Sequence, residues 1–271
     1  MSLFTDFLIY PFMRRALLAI LMISPLMATL GTMIVHKKMA YFSDALGHSA
    51  LTGIAVGVLF GLTDTTPAMI LFGIVFALLL NQIRFFNPSA TDTVISVFAS
   101  VSMAFGLAIL SRGGNFSKYS AILVGDILSI NRSQLIGLLL MLMICAVFWI
   151  FAVNGLAAVS IHPTLAKSQG IRVRLLENLF AVLISVVVML SIRWVGILLI
   201  NALLILPAAS ARNISVNMRE YHGYAVLFSF VSGLLGLFSS YYTNVATGPM
   251  IVILSSAIYF ATFLYAKKAG A

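Results

Sequence analysis

Charge is what this sequence has least of. Of its 271 residues only 8% are Asp, Glu, Lys or Arg, whereas a soluble domain is ordinarily about a quarter charged. With 62% hydrophobic residues there is too little polar surface to coat a water-soluble globule. The solvent that suits such a chain is lipid. Acidic residues are scarcest, seven against sixteen Lys and Arg, for a net charge of +9. Those cations are scattered through short connectors and form no contiguous basic face, which excludes a nucleic-acid binder. There is one cysteine, Cys145, inside an apolar stretch. An intramolecular disulfide and a paired-cysteine metal or redox site are both excluded, and a buried thiol is expected. Met1 to Pro11 holds Asp6, no basic cluster and no small-residue cleavage site, so a cleaved signal peptide is not expected. No phosphate-binding loop of the form Gly, four residues, Gly-Lys-Ser/Thr occurs anywhere.

What the chain does have is long apolar runs. A membrane-spanning helix needs about 20 such residues. On that measure nine spans are expected, at 16–35, 45–62, 67–86, 93–110, 134–158, 176–192, 194–211, 223–242 and 247–266. The count carries a margin of one, because 45–62 is short and 176–211 is nearly continuous. The connectors, such as Asn87 to Asp92 and a turn around Arg193, leave no room for a second soluble domain, so residues 1–271 read as one transmembrane domain. The fold class is therefore an all-α, polytopic bundle of eight to ten helices.

The positive charges vote on orientation. With the 160–174 connector in the cytoplasm, that side holds Lys37, Lys38, Arg84, Lys167, Arg172, Arg174, Arg212, Arg219, Lys267 and Lys268. The other side holds Arg14, Arg15, Arg112, Lys118, Arg132 and Arg193, ten against six. Nine spans then place the N-terminus outside and the C-terminus inside.

The second span carries the chemistry. Ala45, Ser49, Gly53, Gly57 and Gly61 recur every four residues, a ridge of small side chains that lets another helix approach closely in lipid. Beside it Asp44, His48 and Thr52 also stack at i, i+4. An Asp at the centre of a spanning helix costs about 2.5–3.5 kcal/mol, so such residues face cavities and mark transport paths. A carboxylate and an imidazole together suit Zn, Mn or Fe, though two ligands need others to complete the shell. The plain alternative is Asp44 at the headgroups and His48 hydrogen-bonded to another helix. Asn201, in the span that also contains Pro207, is a candidate pore-lining group, and Pro207 itself reads as a kink.

At this point the sequence resembles a known family. Ser43-Asp44-Ala45-Leu46-Gly47-His48-Ser49-Ala50-Leu51-Thr52-Gly53 is similar to a segment of the zinc/manganese/iron ABC permeases, the ABC-3 family. Leu123-Val124-Gly125-Asp126-Ile127-Leu128, Val195-Gly196-Ile197-Leu198-Leu199 with Ala202 to Ala209, and Ser240-Tyr241-Tyr242 with Thr247-Gly248-Pro249 resemble further stretches in the same order. Two positions depart from the family pattern. His162-Pro163-Thr164 stands where Asp-Pro-Glu is usual, followed by family-like Ala166 and Gly170, and Asn244 stands where an Asp is frequent.

The resemblance implies a type II importer-like permease in the bacterial cytoplasmic (inner) membrane. It would carry a divalent metal ion as substrate, with no permanently bound cofactor, and ATP would be hydrolysed on a separate subunit. It further implies a permease homodimer, two ABC ATPase subunits and an extracytoplasmic metal-binding protein. On the same ground Asp44 and His48 are the metal residues, Thr52, Asn201 and Asn244 candidates for the translocation path, and His162, Pro163, Ala166 and Gly170 the ATPase-coupling segment. Two alternatives from other classes stay open. An ion-coupled secondary transporter would use Asp44 and His48 as a proton or cation relay, but no second copy of the 44–61 pattern is visible. An intramembrane metalloprotease would want a dense ligand set, and four scattered histidines do not supply one.

Overall fold

The computed structural model describes residues 10–86, 91–112 and 127–269, and among these the regular structure is entirely helical. Ten α-helices follow one another: α1 Pro11–His36, α2 Ala40–Leu59, α3 Thr66–Phe86, α4 Thr91–Arg112, α5 Arg132–Ile161, α6 Pro163–Ser168, α7 Val173–Val195, α8 Ile197–Ile214, α9 Met218–Thr243 and α10 Thr247–Ala269. A single 3-10 turn, Ile127–Ser129, precedes α5. Nine of the ten helices, all but α6, are long and apolar enough to cross a bilayer. Each expected span overlaps one of them. The Asn87–Asp92 connector lies largely outside the described residues, as does most of the Leu123–Leu128 stretch.

Helix ends follow local chemistry. α5 opens on a reciprocal box in which Asn131 Oδ1 accepts from the Gln134 amide and Gln134 Oε1 accepts from the Asn131 amide, both at 2.9 Å. α9 opens on a related cap, with Asn217 Oδ1 accepting from the Glu220 amide at 2.9 Å and the Glu220 carboxylate accepting from the Val216 amide at 3.2 Å. The nearly continuous stretch 176–211 is broken at Gly196, whose φ of +88° and ψ of 161° lie in a region open essentially to glycine alone. The break is not at Arg193, which continues α7 in its last turn.

The chain divides into two compact units. One gathers α1, α5 through Cys145, and α8 to α10. In it α8 packs on α9 and α10, and α9 packs on α10. Helix α1 joins through close backbone approaches: a Cβ on Gly31 would stand 1.8 Å from the Leu204 carbonyl oxygen of α8. Tyr221 of α9 donates its hydroxyl to the Thr32 carbonyl at 3.2 Å. Small residues at these crossings replace the hydrophobic driving force that lipid does not provide.

The other unit gathers α2 to α4, α5 from Ala146, α6, and α7 through Arg193. Here α2 packs against both α3 and α4. Its ion pairs fall at opposite ends of the helices. Lys37 before α2, Arg84 at the end of α3 and Glu177 near the start of α7 cluster at one end. Asp64, between α2 and α3, pairs with Arg193 at the far end of α7. That arrangement fits strict alternation of the spans, with the first group on the side given to the cytoplasm by the charge count.

Candidate functional site

α2 begins at Ala40, so Asp44 lies one turn into the helix and His48 about 12 Å along it, at 1.5 Å rise per residue. His48 Nε2 stands 3.6 Å from Asp44 Oδ2. That is too long for a hydrogen bond, but it suits a shared cation. With metal–nitrogen and metal–oxygen bonds near 2.0–2.2 Å, two ligands of a tetrahedral site lie about 3.4 Å apart. The two side chains remain 37% and 47% exposed, His48 and Asp44 respectively. His48 Nδ1 is buried without a hydrogen-bond partner among the described residues. No third His, Cys, Asp or Glu among the described residues joins them in a metal-holding group. The pair supplies two donor atoms on one helix, fewer than a closed metal shell needs.

Thr52, the third member of that row, is engaged elsewhere. Its hydroxyl donates to the Ser102 carbonyl of α4 and accepts from the Ser102 hydroxyl, the latter at 3.0 Å. It is buried in the α2–α4 contact. Over the middle of the ridge, a Cβ on Gly53 would stand 2.7 Å from Met69 Cα of α3, and one on Gly57 would stand 3.1 Å from Cβ of Thr65, just before α3. Ala45 and Ser49 are buried in the same helix. Gly61 does not join the ridge, which corrects the expectation from spacing. α2 stops at Leu59, and Gly61 is exposed with φ +67° and nothing near its Cβ position. Its amide donates to the Val58 carbonyl and the Leu62 amide to the Gly57 carbonyl, both at 3.0 Å, the bonding of a glycine helix stop.

Asn201 is half-buried one turn into α8. Asn244 is the exposed C-cap of α9, in the left-handed region at φ 53° that asparagine tolerates better than most residues. Both belong to the unit that does not contain Asp44 and His48.

The connector after α5 contains the short helix α6. Pro163 sits at its first position and His162 at its N-cap, the imidazole Nδ1 lying 2.9 Å from the Thr164 hydroxyl. Ala166 is its buried residue, 1% exposed. Gly170 ends it at φ +83°: the Gly170 amide donates to the Lys167 carbonyl and the Ile171 amide to the Ala166 carbonyl, both at 3.1 Å. Beside α6 a cavity of about 770 Å³ is walled by Phe85 and Leu175 and rimmed by Lys167, Arg172 and Arg174.

Sequence patterns missed one group of residues. Glu177 follows Arg172 and Arg174 in the chain. In the structure it accepts a hydrogen bond from Lys37 Nζ and stands 3.5 Å from Arg84 Nη1. The Lys37 and Glu177 side chains are 1% and 5% exposed. Burial pushes the Lys37 ammonium below the ordinary lysine value, and the Glu177 carboxylate acts against that. The ammonium also lies 5.6 Å from the Phe180 ring centroid. One turn away Asn81 Nδ2 donates to Asn178 Oδ1 at 2.7 Å. Asn81 and the Glu177-Asn178 pair were visible as polar residues in apolar runs, but nothing in the sequence pairs them.

Comparison with known proteins agrees with this architecture over almost the full chain. Residues 9–266 match the model of the ABC 3 transport family. The chain is 30% identical over 249 residues to the high-affinity zinc uptake system membrane protein ZnuB of Haemophilus influenzae, covering 90% of this chain and 94% of that one. It is 28% identical over 262 residues to the manganese transport system membrane protein MntC of Listeria innocua, covering 96% and 93%. Among solved structures, PsaBC from Streptococcus pneumoniae in complex with Fab superposes with a TM-score of 0.83 at 25% identity, over 97% of this chain and 94% of that one.

Proposed function

This chain belongs to the ABC 3 transport family, and on that premise we propose that it is the membrane-spanning subunit of an importer for a divalent transition metal ion. The ion is substrate, not cofactor. The observation that carries the site is the Asp44–His48 pair, 3.6 Å apart on a spanning helix and only part covered by its own chain. Ionisable groups in that setting face a water-filled path or another protein surface, not lipid. A carboxylate and a neutral imidazole replace part of the hydration shell of zinc or manganese, and the ion offsets the cost of holding the acid there. Two relatives are named for zinc and for manganese, and both ions accept carboxylate and imidazole ligands.

Two ligands hold an ion weakly, which suits a path from which it must be released. Hydrolysis of ATP falls to a separate subunit that docks on α6. Pro163, Ala166 and Gly170 give that helix a fixed start, an anchored middle and a fixed end, and His162 occupies its N-cap position. An extracytoplasmic metal-binding protein and a second permease copy complete the assembly in the bacterial inner membrane.

The test is reconstitution. Purified permease with its ATPase, in sealed vesicles, should take up Zn(II) or Mn(II) only when ATP is hydrolysed. Uptake driven by a proton or sodium gradient in the absence of an ATPase would replace this function with ion-coupled secondary transport.

A further inference from the structure

The end of the helices that carries α6 also holds the most deeply buried charges in the described chain. Glu177 sits at the centre. Its Oε1 accepts from Lys37 Nζ, and its Oε2 stands 3.5 Å from Arg84 Nη1. Each partner leads to a different helix. Lys37 stands three residues before α2, in a tight connector where Lys38 adopts φ 55°. Arg84 lies in the last turn of α3, and its guanidinium also reaches Met39 Sδ, at the N-cap of α2, at 2.9 Å. Glu177 lies in the second turn of α7. The Asn81–Asn178 bond repeats the α3–α7 link one turn deeper.

On the other side, Glu177 is joined to α6 by short hydrogen-bonded chain. The Ile171 amide donates to Ala166, the Val173 amide to Ile171 at 2.9 Å, and the Leu176 amide to Arg172 at 3.0 Å. No long, unbonded loop intervenes between Ala166 and the carboxylate. Beyond Lys37, Asp44 and His48 follow on α2 one and two turns from its start. A helix is stiff along its axis, so a shift at the foot of α2 reaches both ligands.

A buried ion pair contributes little net stability compared with apolar packing, because desolvation of both charges opposes their attraction. What it does fix is geometry. Two cations converging on one carboxylate hold three helix ends in one register, and α2 and α7 cannot slide apart without stranding the buried Lys37 charge in an apolar setting.

We propose that Lys37, Arg84 and Glu177 are positioning residues that clamp the feet of α2, α3 and α7, so that displacement of α6 by the ATPase reaches the Asp44–His48 pair. The clamp rests on the transport function proposed above, and it touches neither the ion nor the ATPase. It converts movement at the coupling helix into a change in the spacing or accessibility of the two ligands.

The experiment measures ATP hydrolysis and Zn(II) or Mn(II) uptake in the same vesicles of reconstituted permease and ATPase. Lys37→Met combined with Glu177→Gln removes both buried charges together, leaving Arg84 free to reach solvent. This double variant should assemble and hydrolyse ATP at the parental rate, while uptake per ATP falls about tenfold, the size of an ordinary coupling between sites. Lys37→Arg, which keeps the charge, should retain the parental ratio. A parental ratio in the double variant overturns the clamp. So does a double variant that fails to assemble, which assigns the network to folding, or an equal fall in Lys37→Arg. A parent that shows no ATP-dependent uptake overturns the transport function itself, a separate result.

Discussion

Gly53 of α2 crosses α3 so closely that a Cβ on it would stand 2.7 Å from Met69 Cα. The clash is with backbone, so the helices themselves must move apart. At Gly57 the added Cβ would meet Thr65 Cβ and Ala68 Cβ at 3.1 and 3.2 Å, milder contacts that a small backbone shift relieves. Gly53→Ala should therefore destabilise the permease by about 1–3 kcal/mol, the usual cost of overpacking. Gly57→Ala should cost distinctly less. Thermal unfolding in detergent checks the order, and equal melting temperatures for the two variants would show that α2 and α3 are not in this contact.

These two glycines also show how far sequence alone reaches. The nine spans were legible because each must present about 20 apolar residues to lipid. The four-residue recurrence of small side chains announced a close crossing at Gly53 and Gly57 for the same reason. Spacing could not tell where α2 stops, and so it counted Gly61, which ends the helix instead. It could not tell that Thr52, on the row of Asp44 and His48, spends its hydroxyl on Ser102, 50 positions away. Least legible was the Lys37–Glu177 pair, separated by 140 positions. A lysine after a span reads as a topology charge, and only the three-dimensional meeting of helix ends makes it a buried partner.

Asp64 lies at the other end of the same unit. The Thr66 hydroxyl and backbone amide donate to its carboxylate at 2.6 and 3.0 Å, and Arg193 adds its charge. These contacts, the Thr66 hydroxyl first, lower its pKa from the ordinary carboxylate value. A depressed folded pKa gives stability that is present above the unfolded value, near 3.9, and lost as pH falls through the folded one. The difference in melting temperature between the parent and Asp64→Asn should stay flat from about pH 7 to pH 5 and shrink only below about pH 4. A difference already halved at pH 5 would mean the carboxylate is not held by these partners.

Gly170 ends α6 at φ +83°, with nothing within 4 Å of its Cβ position. A substitution there strains the backbone and meets no neighbour. Residues that tolerate the left-handed region should be accepted and β-branched ones should not. Gly170→Asn should keep most ATP-driven uptake, whereas Gly170→Val should unwind the helix stop and lower uptake per ATP with normal insertion. Parental coupling in Gly170→Val would remove the shape of α6 from the ATPase contact.

The decisive mutations are at Asp44 and His48, the pair proposed to meet the ion. Asp44 and His48 lie on one face of α2 with their nearest heteroatoms 3.6 Å apart, close to the spacing of two ligands around one ion. Losing either leaves a single ligand, too few to offset the hydration that the ion gives up on entering the membrane. Removing even an outer-shell partner of a metal site costs about 10–100-fold in affinity or activity. Asp44→Ala and His48→Ala should each reduce uptake at least that much, while expression, insertion and association with the ATPase stay normal. Thr52→Ala supplies the contrast. Its hydroxyl serves the α2–α4 contact, so the variant should lose thermal stability and retain uptake per assembled complex. Uptake is read as metal accumulated in ATP-loaded vesicles, and assembly as ATPase retained on the purified permease. If both alanine variants of the pair assemble and transport at the parental rate, Asp44 and His48 are structural and the ion passes elsewhere.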